Sequence, residues 1–265
     1  MKLIQTVLCL SVSYLAASMG FAQTSTAYPV KPIRLVVPFP AGGPTDQFAR
    51  QYAQSLSTQL GKPVIVDNKS GASGAIGSLE VKNSAPDGYT LLFGTASTHV
   101  LYGLMNAKPQ YDSIKDFTEI AVVGDAPIVF AVSPGTKGGF KELIEYARLN
   151  PGKLQYGSAG EGTYLHIVGE RLKYELGNLD IQHIPFRGSA QAIPALIGGQ
   201  VNMTVDTLGS LINQHRAGKL KIVAIASTKR SPLIPDIPTV NEVTGLKDFQ
   251  AALWNIVSAP QGLSP

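Results

Sequence analysis

Residues 37–46 read Val37-Pro38-Phe39-Pro40-Ala41-Gly42-Gly43-Pro44-Thr45-Asp46, and the elements on either side of this turn determine the fold. The apolar run before it, residues 33–37, is rich in branched side chains and predicts a buried strand. After the turn, Thr45 is expected to cap a helix whose large apolar residues recur every four positions over residues 48–60. Gly61 is expected to end that helix. The stretch therefore predicts a strand, a glycine turn and a helix.

This turn is suited to an anion such as a carboxylate. Gly42 and Gly43 would let the backbone approach a ligand, and the first N–H groups of a helix are unpaired and partly positive. The alternative is that the two glycines only make a tight turn. The sequence has 22 Lys and Arg residues against 18 Asp and Glu residues, a mild basic excess that agrees with an anionic ligand.

The composition is typical of a globular protein with a large core. The 265 residues are enough for two modest α/β domains or one large domain, and 44% of them are hydrophobic while only 15% are charged. No basic run alternates with aromatic residues, so nucleic acid is not a predicted partner.

Residues 1–22 have the pattern of a secretory signal peptide. A lysine at the start is followed by an apolar segment over residues 3–15 and by small residues near Ala22. We expect cleavage between Ala22 and Gln23 and export of the mature protein. Cys9 is the single cysteine and lies inside this segment, so the mature protein is expected to lack disulfide and thiol chemistry.

Strands and helices alternate along the rest of the chain, which predicts doubly wound, mostly parallel sheets with right-handed crossovers. A second glycine turn, Ser158-Ala159-Gly160-Glu161-Gly162-Thr163, again lies between a predicted strand and a predicted helix. This recurrence predicts two similar α/β lobes with a ligand cleft between them. We expect lobe 1 over residues 28–125 and 226–265, lobe 2 over residues 126–225, and a hinge where strands cross near residues 125 and 226.

Two details concern the connection between the lobes. Gly124-Asp125-Ala126-Pro127 is typical of a turn, so separate strands are expected over residues 120–123 and 128–132. Pro232, Pro235 and Pro238 predict an irregular segment, which is followed by a strand over residues 249–257.

The sequence lacks the patterns of common catalytic sites. His99, His166, His183 and His215 are scattered and lack metal-ligand spacing, so no metal is expected. There is no G-x-S-x-G motif and no Walker lysine, and the glycine pair at residues 160 and 162 lacks the third glycine of a dinucleotide loop. We therefore predict neither a cofactor nor an enzyme.

Eight short motifs follow one another along the chain. They are Val37-Pro38-Phe39-Pro40-Ala41-Gly42-Gly43-Pro44-Thr45-Asp46, Gly61-Lys62-Pro63-Val64-Ile65-Val66-Asp67-Asn68 with Gly71-Ala72, Ala85-Pro86-Asp87-Gly88-Tyr89-Thr90-Leu91-Leu92, Asp116-Phe117, Tyr156-Gly157-Ser158-Ala159-Gly160 with Gly162-Thr163 and His166, Pro185-Phe186-Arg187-Gly188 with Ala190-Gln191-Ala192, Gly198-Gly199-Gln200-Val201, and Ala217-Gly218-Lys219-Leu220. In this order they resemble the Bug-type solute receptors of the tripartite tricarboxylate transporter family.

The resemblance implies a monomeric periplasmic binding protein of a type II-like, two-lobed fold. It would close on a small organic carboxylate, such as a dicarboxylate, an amino acid or a nicotinate-like acid, and deliver it to membrane transporter subunits. The ligand carboxylate would sit between residues 39–46 and 158–163, held by main-chain N–H groups and bridging water. The resemblance also implies terminal helices beyond Pro265. A sensor that feeds a two-component kinase is the alternative function, and a hydrolase with an unrecognised site is a weaker one.

The predicted ligand-binding residues belong to the two glycine turns and to the ends of neighbouring strands. Asp46 would contact an amine or hydroxyl, Asp206 would select an amine, and Arg187 would pair with a second carboxylate. The remaining residues would supply main-chain or hydroxyl contacts. The full set is Phe39, Ala41, Gly42, Gly43, Asp46, Thr95, Ser97, Ala159, Gly160, Thr163, Arg187, Gly188 and Asp206.

Overall fold

The computed structural model describes residues 28–263, and the predicted signal peptide at residues 1–22 lies outside this range. The strands are β1 Ile33–Val37, β2 Val64–Asn68, β3 Thr90–Thr95, β4 Phe117–Val132, β5 Leu154–Ser158, β6 Ile181–Pro185, β7 Met203–Thr207, β8 Lys221–Ile225 and β9 Ala252–Pro260. The α-helices are α1 Pro44–Leu60, α2 Ala75–Lys82, α3 Tyr102–Met105, α4 Phe140–Leu149, α5 Tyr164–Glu175, α6 Ser189–Ile197, α7 Leu208–Arg216 and α8 Val240–Thr244. Within the described part of the chain, no helix is both long and apolar enough to cross a membrane.

The strands form two α/β halves, as the sequence predicts. In the first half β2, β1 and β3 are parallel, and β9 and then β4 extend the sheet with antiparallel pairing. In the second half β6, β5 and β7 are parallel, and β4 and then β8 extend that sheet in the same way. The two-lobed α/β fold is confirmed, with antiparallel strands added to each parallel set.

One long strand joins the two halves. The separate strands expected over residues 120–123 and 128–132 are wrong, because β4 runs unbroken through the turn-like residues 124–127. Its first part pairs with β9 up to Pro127, and its last part pairs with β7 from Ile128 onward. A register shift at Gly124 absorbs the irregular residues as a bulge, so the pairing with β9 overrides the local turn preference.

Residues 227–251 pack with the second half. Val240 in α8 and Phe249 are fully buried in the same core cluster as Phe130 and Leu172. The main chain crosses back to the first half at Ala251, whose N–H and carbonyl bond to Ala226 and Ile128. We therefore propose that the second crossing of the hinge lies at residues 251–252 rather than near residue 226.

The start of α1 differs from the sequence expectation. The capping residue is Gly43, Pro44 takes the first helical position, and Thr45 is buried in the first turn instead of capping it. Proline suits this position because its fixed φ is helical and its missing N–H would have had no partner. Gly61 ends the helix in a left-handed conformation, with φ 64°, as predicted.

Candidate functional site

A cavity of about 380 Å³, counting the space that opens to solvent, lies between the two halves. The first half contributes the turn at residues 39–40 and the start of α1. The second half contributes Ala159 and the starts of α5 and α6, while Thr95 and Ser97 line the cavity where β3 ends.

Three helices, from both halves, begin at this cavity. The lining residues Thr45, Leu165 and Ser189 belong to the first turns of α1, α5 and α6. The first N–H groups of a helix have no acceptor inside that helix, and these three have none elsewhere within residues 28–263. Each helix start also carries a partial positive charge, so the three add to the attraction for an anion.

The cavity wall carries no formal charge among the described residues. Its polar side chains belong to serine, threonine and tyrosine residues, and the remainder are glycine, proline, alanine, leucine and phenylalanine. An anion held here would be stabilised by main-chain dipoles and hydroxyl groups rather than by a cationic side chain. Hydrogen bonds to an ionised acceptor are about twice as strong as neutral ones, which favours a carboxylate.

The two halves touch each other across the cleft. The N–H of Tyr164 donates to Ser97 Oγ at 2.9 Å, and Ser73 Oγ donates to the carbonyl of Glu161 at 2.5 Å. A Cβ added at Gly188 would lie 2.9 Å from Pro40 Cγ. These contacts close the cleft over the cavity.

The structure brings seven of the thirteen predicted site residues together at the cavity. They come from both glycine turns, from the end of β3 and from the start of α6. They are Phe39, Gly43, Thr95, Ser97, Ala159, Thr163 and Gly188.

The N–H groups of Gly42 and Gly43 already have acceptors among residues 40–46. Gly42 has φ +80° and needs to be glycine, but its N–H donates to Asp46 Oδ2 at 2.9 Å. Gly43 has an ordinary φ of −79°, and its N–H is directed to the carbonyl of Pro40 at 3.4 Å. The free donors of the first turn therefore lie one step later, in α1.

Asp46 is occupied within its own half. Its carboxylate accepts hydrogen bonds from the N–H of Gly42, from Arg50 Nε at 3.0 Å and from Asn68 Nδ2 at 2.9 Å. Burial raises the pKa of this carboxyl, but the hydrogen bonds from Arg50, Gly42 and Asn68 outweigh burial and leave the pKa below its usual value. The arrangement assigns Asp46 to holding the turn, because it does not line the cavity.

Four predicted residues of the two turns and the α6 start do not line the cavity. Gly160 and the exposed Arg187 line an adjoining groove that also includes Gly188. Ala41 and Gly42 are exposed and line neither the cavity nor this groove.

Asp206 lies near the end of β7 and is fully buried. Its Oδ1 accepts the N–H of Thr207 at 2.7 Å, and it does not line the cavity. Burial raises the pKa of Asp206 to about 6, while hydrogen-bonding groups of Ser189, Thr207 and Ser210 oppose the rise.

Glu161, His166 and His183 form a cluster that their spacing in the sequence did not indicate. The two imidazole rings stack with centroids 4.1 Å apart, and Glu161 Oε2 lies 3.3 Å from His183 Nδ1. The N–H of Gly162 donates to His166 Nδ1, so the proton of a neutral His166 lies on Nε2 and faces Glu161. Metal binding at Nε2 would require breaking this arrangement, and the absence of a metal stays a prediction.

Several cavity residues were missed by the sequence analysis. Thr45, Tyr164, Leu165 and Ser189 lie one or two positions after the predicted residues Gly43, Thr163 and Gly188, and Leu253 comes from the distant β9. The helix starts could have been found by extending each predicted turn into the first turn of its helix. Leu253 depends on strand crossing, which no local pattern indicates.

Two α/β lobes that close over a cavity lined by opposing helix N-termini define a solute receptor of the periplasmic binding protein class. The chain belongs to the tripartite tricarboxylate transporter receptor family, because the model described as "Tripartite tricarboxylate transporter family receptor" matches residues 48–265. This confirms the predicted family. Its members are receptors of the periplasm, which also confirms that the chain is a receptor rather than an enzyme.

Individual relatives agree with this assignment. The chain is 36% identical over 254 residues to protein BugT of Bordetella pertussis, and the match covers 94% of this chain and 77% of BugT. A Rhodopseudomonas palustris protein solved with adipate is 34% identical, with a TM-score of 0.85, and the match covers 89% of this chain and 79% of that one. MatC from the same organism, solved with bound malate, is 33% identical, with a TM-score of 0.83 and coverage of 89% and 80%.

Proposed function

We propose that this receptor captures a small organic carboxylate in the cavity between its lobes. The observation that carries the proposal is the convergence of three unpaired N–H groups, from Thr45, Leu165 and Ser189, on one uncharged cavity. The similarity to proteins solved with adipate and with malate supports the same ligand class.

The ligand carboxylate would lie between the starts of α1, α5 and α6. Its oxygens would accept the three free N–H groups, with the hydroxyls of Thr95 and Thr163 at the wall of the same cavity. Because donors come from both lobes, the ligand would hold the lobes together. We therefore propose that the lobes open and close about the two crossings at β4 and at residues 251–252.

Calorimetry with a panel of carboxylates tests the proposal. The panel should include mono- and dicarboxylates of increasing chain length, with the corresponding amides as uncharged controls. We expect saturable binding of at least one acid, thermal stabilisation that rises with its concentration, and no product in the mixture. Binding of the amides as tightly as the acids, or turnover of any acid, would contradict the proposal. Native mass spectrometry of the protein as purified can identify a retained ligand.

We further propose that the receptor is exported by cleavage after Ala22 and passes its ligand to the membrane subunits of a tripartite transporter. The family assignment supports a transport partner. N-terminal sequencing of periplasmic protein tests the cleavage, and uptake measured with and without the receptor tests the partner. A sensor kinase is the alternative partner, and the genes beside the receptor gene would distinguish the two.

A further inference from the structure

One peptide group connects the opposite lobe to a histidine. The carbonyl of Glu161 accepts the hydroxyl of Ser73 across the cleft at 2.5 Å, and the N–H of Gly162, which belongs to the same peptide group, donates to His166 Nδ1 at 3.2 Å. In a trans peptide the C=O and the N–H point in opposite directions, so one orientation of this group serves both bonds. His166 therefore fixes the peptide that meets Ser73, and we call the bond between Ser73 and Glu161 the latch.

The first lobe presents its side of the latch from a strained turn. Gly71, Ala72, Ser73 and Gly74 have φ values of 138°, 46°, 54° and 98° in succession. Ala72 and Ser73 are not glycines, and their side chains make this left-handed region unfavourable. Such conformations persist where surrounding contacts impose them, and they cluster at ligand clamps and switch regions. This turn brings the hydroxyl of Ser73 to the opposite lobe, which indicates a clamp.

Charged and titratable groups face His166 and its turn from the elements packed around them. They are Glu161 on the turn, Glu170 and Lys173 on α5, Tyr156 on β5, His183 on β6, and Tyr102 and Lys108 in the groove of the opposite lobe, while β7 adds the apolar Met203 and Val205. Carboxylate oxygens of Glu161 and Glu170 lie 3.7 and 4.0 Å from His166 Nε2, where they would pair with an imidazolium. Burial and the charge of His166 lower the pKa of His183, so the stacked pair takes up one proton rather than two.

A protonated His166 is incompatible with the latched orientation of the peptide. Imidazole changes charge between about pH 5 and 8, and the imidazolium carries a proton on both nitrogens. Nδ1 is then a donor that faces the N–H of Gly162. Rotation of the peptide removes this conflict, because the carbonyl of Glu161 can then accept the Nδ1 proton, and glycine at position 162 tolerates the changed backbone. The rotated carbonyl no longer meets Ser73.

We propose that His166 positions the latch and releases it on protonation, so that the closed cleft is favoured at neutral pH and weakened in acid. The inference rests on the opening and closing of the lobes proposed above and adds a positioning residue that lies outside the cavity. Because the ligand donors come from both lobes, release of the latch also lowers the affinity for the ligand. The closed state requires neutral His166, so both closure and affinity fall as the pH falls.

Energy transfer between two dyes measures closure directly. Cys9 is the single cysteine of the sequence, so in a Cys9→Ser background the dyes can be attached to the cysteines introduced by Lys115→Cys and Lys141→Cys, one in each lobe. Both lysine side chains are exposed. We expect the closed fraction to be smaller at pH 6 than at pH 8. Calorimetry with malate and with adipate should show affinity reduced about 2- to 12-fold at pH 6, the scale of one hydrogen bond.

Three variants assign the response to the latch. His166→Asn keeps an acceptor near the place of Nδ1 but cannot be protonated, so its closed fraction should be the same at both pH values. His166→Phe keeps a ring against His183 without an acceptor, and Ser73→Ala removes the donor, so both should be more open at both pH values. Ionisation of malate and adipate affects every protein equally and cancels when a variant is compared with the wild type. Circular dichroism and thermal melting verify each fold.

His215→Asn is the matched control for His166→Asn. His215 Nδ1 accepts the N–H of Ile222 at 3.3 Å, which is the same kind of bond as that between His166 and Gly162, and His215 does not line the cavity. This variant should keep the wild-type response to pH. If it removes the response as fully as His166→Asn does, the effect is not specific to the latch and the inference fails.

The remaining outcomes separate the latch from the proposed ligand class. If the closed fraction of the wild type is equal at pH 6 and pH 8, or if His166→Asn opens in acid as the wild type does, the latch is refuted while carboxylate binding stands. If the closed fraction responds as expected and no acid of the wider panel binds, the latch stands and the carboxylate function fails.

Discussion

Replacing Gly188 by alanine tests whether the closed cleft is the ligand-bound arrangement. Gly188 has φ +94° and ψ 162° at the start of α6, a region that other residues avoid at a cost of about 1–3 kcal/mol. The added Cβ would also lie 2.9 Å from Cγ and 3.2 Å from Cδ of Pro40 in the opposite lobe. The backbone strain affects the lobe in any state, whereas the overlap with Pro40 affects only the closed state.

The two effects can be measured separately. The strain should lower the free energy of unfolding by about 1–3 kcal/mol, as urea unfolding without ligand would report. Relieving the overlap requires the lobes to move apart, and overpacking of this kind costs about 1–3 kcal/mol. Calorimetry with the tightest carboxylate of the panel should therefore show affinity reduced about 5- to 150-fold.

Gly199→Ala is the matched control for Gly188→Ala. Gly199 has φ +71°, and an added Cβ there meets no atom within 4 Å, so only the backbone strain remains. This variant should lose stability and keep its affinity. If Gly188→Ala also keeps its affinity, the approach of the lobes seen here is not the ligand-bound arrangement, and the reasoning about closure is refuted.

Three further predictions concern single side chains. Ser97→Ala removes the acceptor of the Tyr164 N–H across the cleft and should weaken binding by about 0.5–1.5 kcal/mol in calorimetry, with no change expected if that contact is absent from the bound state. Asp46→Asn disrupts the hydrogen bonds from the turn and from Arg50 and should lower the free energy of unfolding by about 1–3 kcal/mol in urea. In the wild type, the contribution of Asp46 to stability is lost as the pH falls through its lowered pKa. Equal stability of the two proteins at pH 7 would contradict this role. Burial raises the pKa of Asp206 from 3.8 to about 6, so its contribution to stability is fully present below pH 4 and is lost as the pH rises through about 6. The Asp206→Asn variant should lack this loss of about 3 kcal/mol. Parallel curves of unfolding free energy for the variant and the wild type over pH 4–7 would refute this prediction.

Local patterns predicted the elements well where neighbouring residues decide them. The strand over residues 33–37 and the end of α1 at Gly61 agree with the sequence prediction, because apolar spacing and turn residues act over a few positions. The same patterns failed at residues 124–127, where glycine and proline indicated a turn. There β9 supplies hydrogen-bond partners from more than a hundred residues away, and β4 continues through.

The sequence by itself determined the two glycine turns, the alternation of strands and helices, and the motifs that indicate the family. Each of these depends on residues close together in the chain. Only the tertiary structure decided which N–H groups remain free: Asp46 uses the donor of Gly42, so the free donors lie in the first helical turns. It also buried Asp206 and stacked His166 on His183. These features arise from contacts between distant segments, and hydrogen-bond partners, burial and charge at a site are properties of such contacts rather than of local sequence.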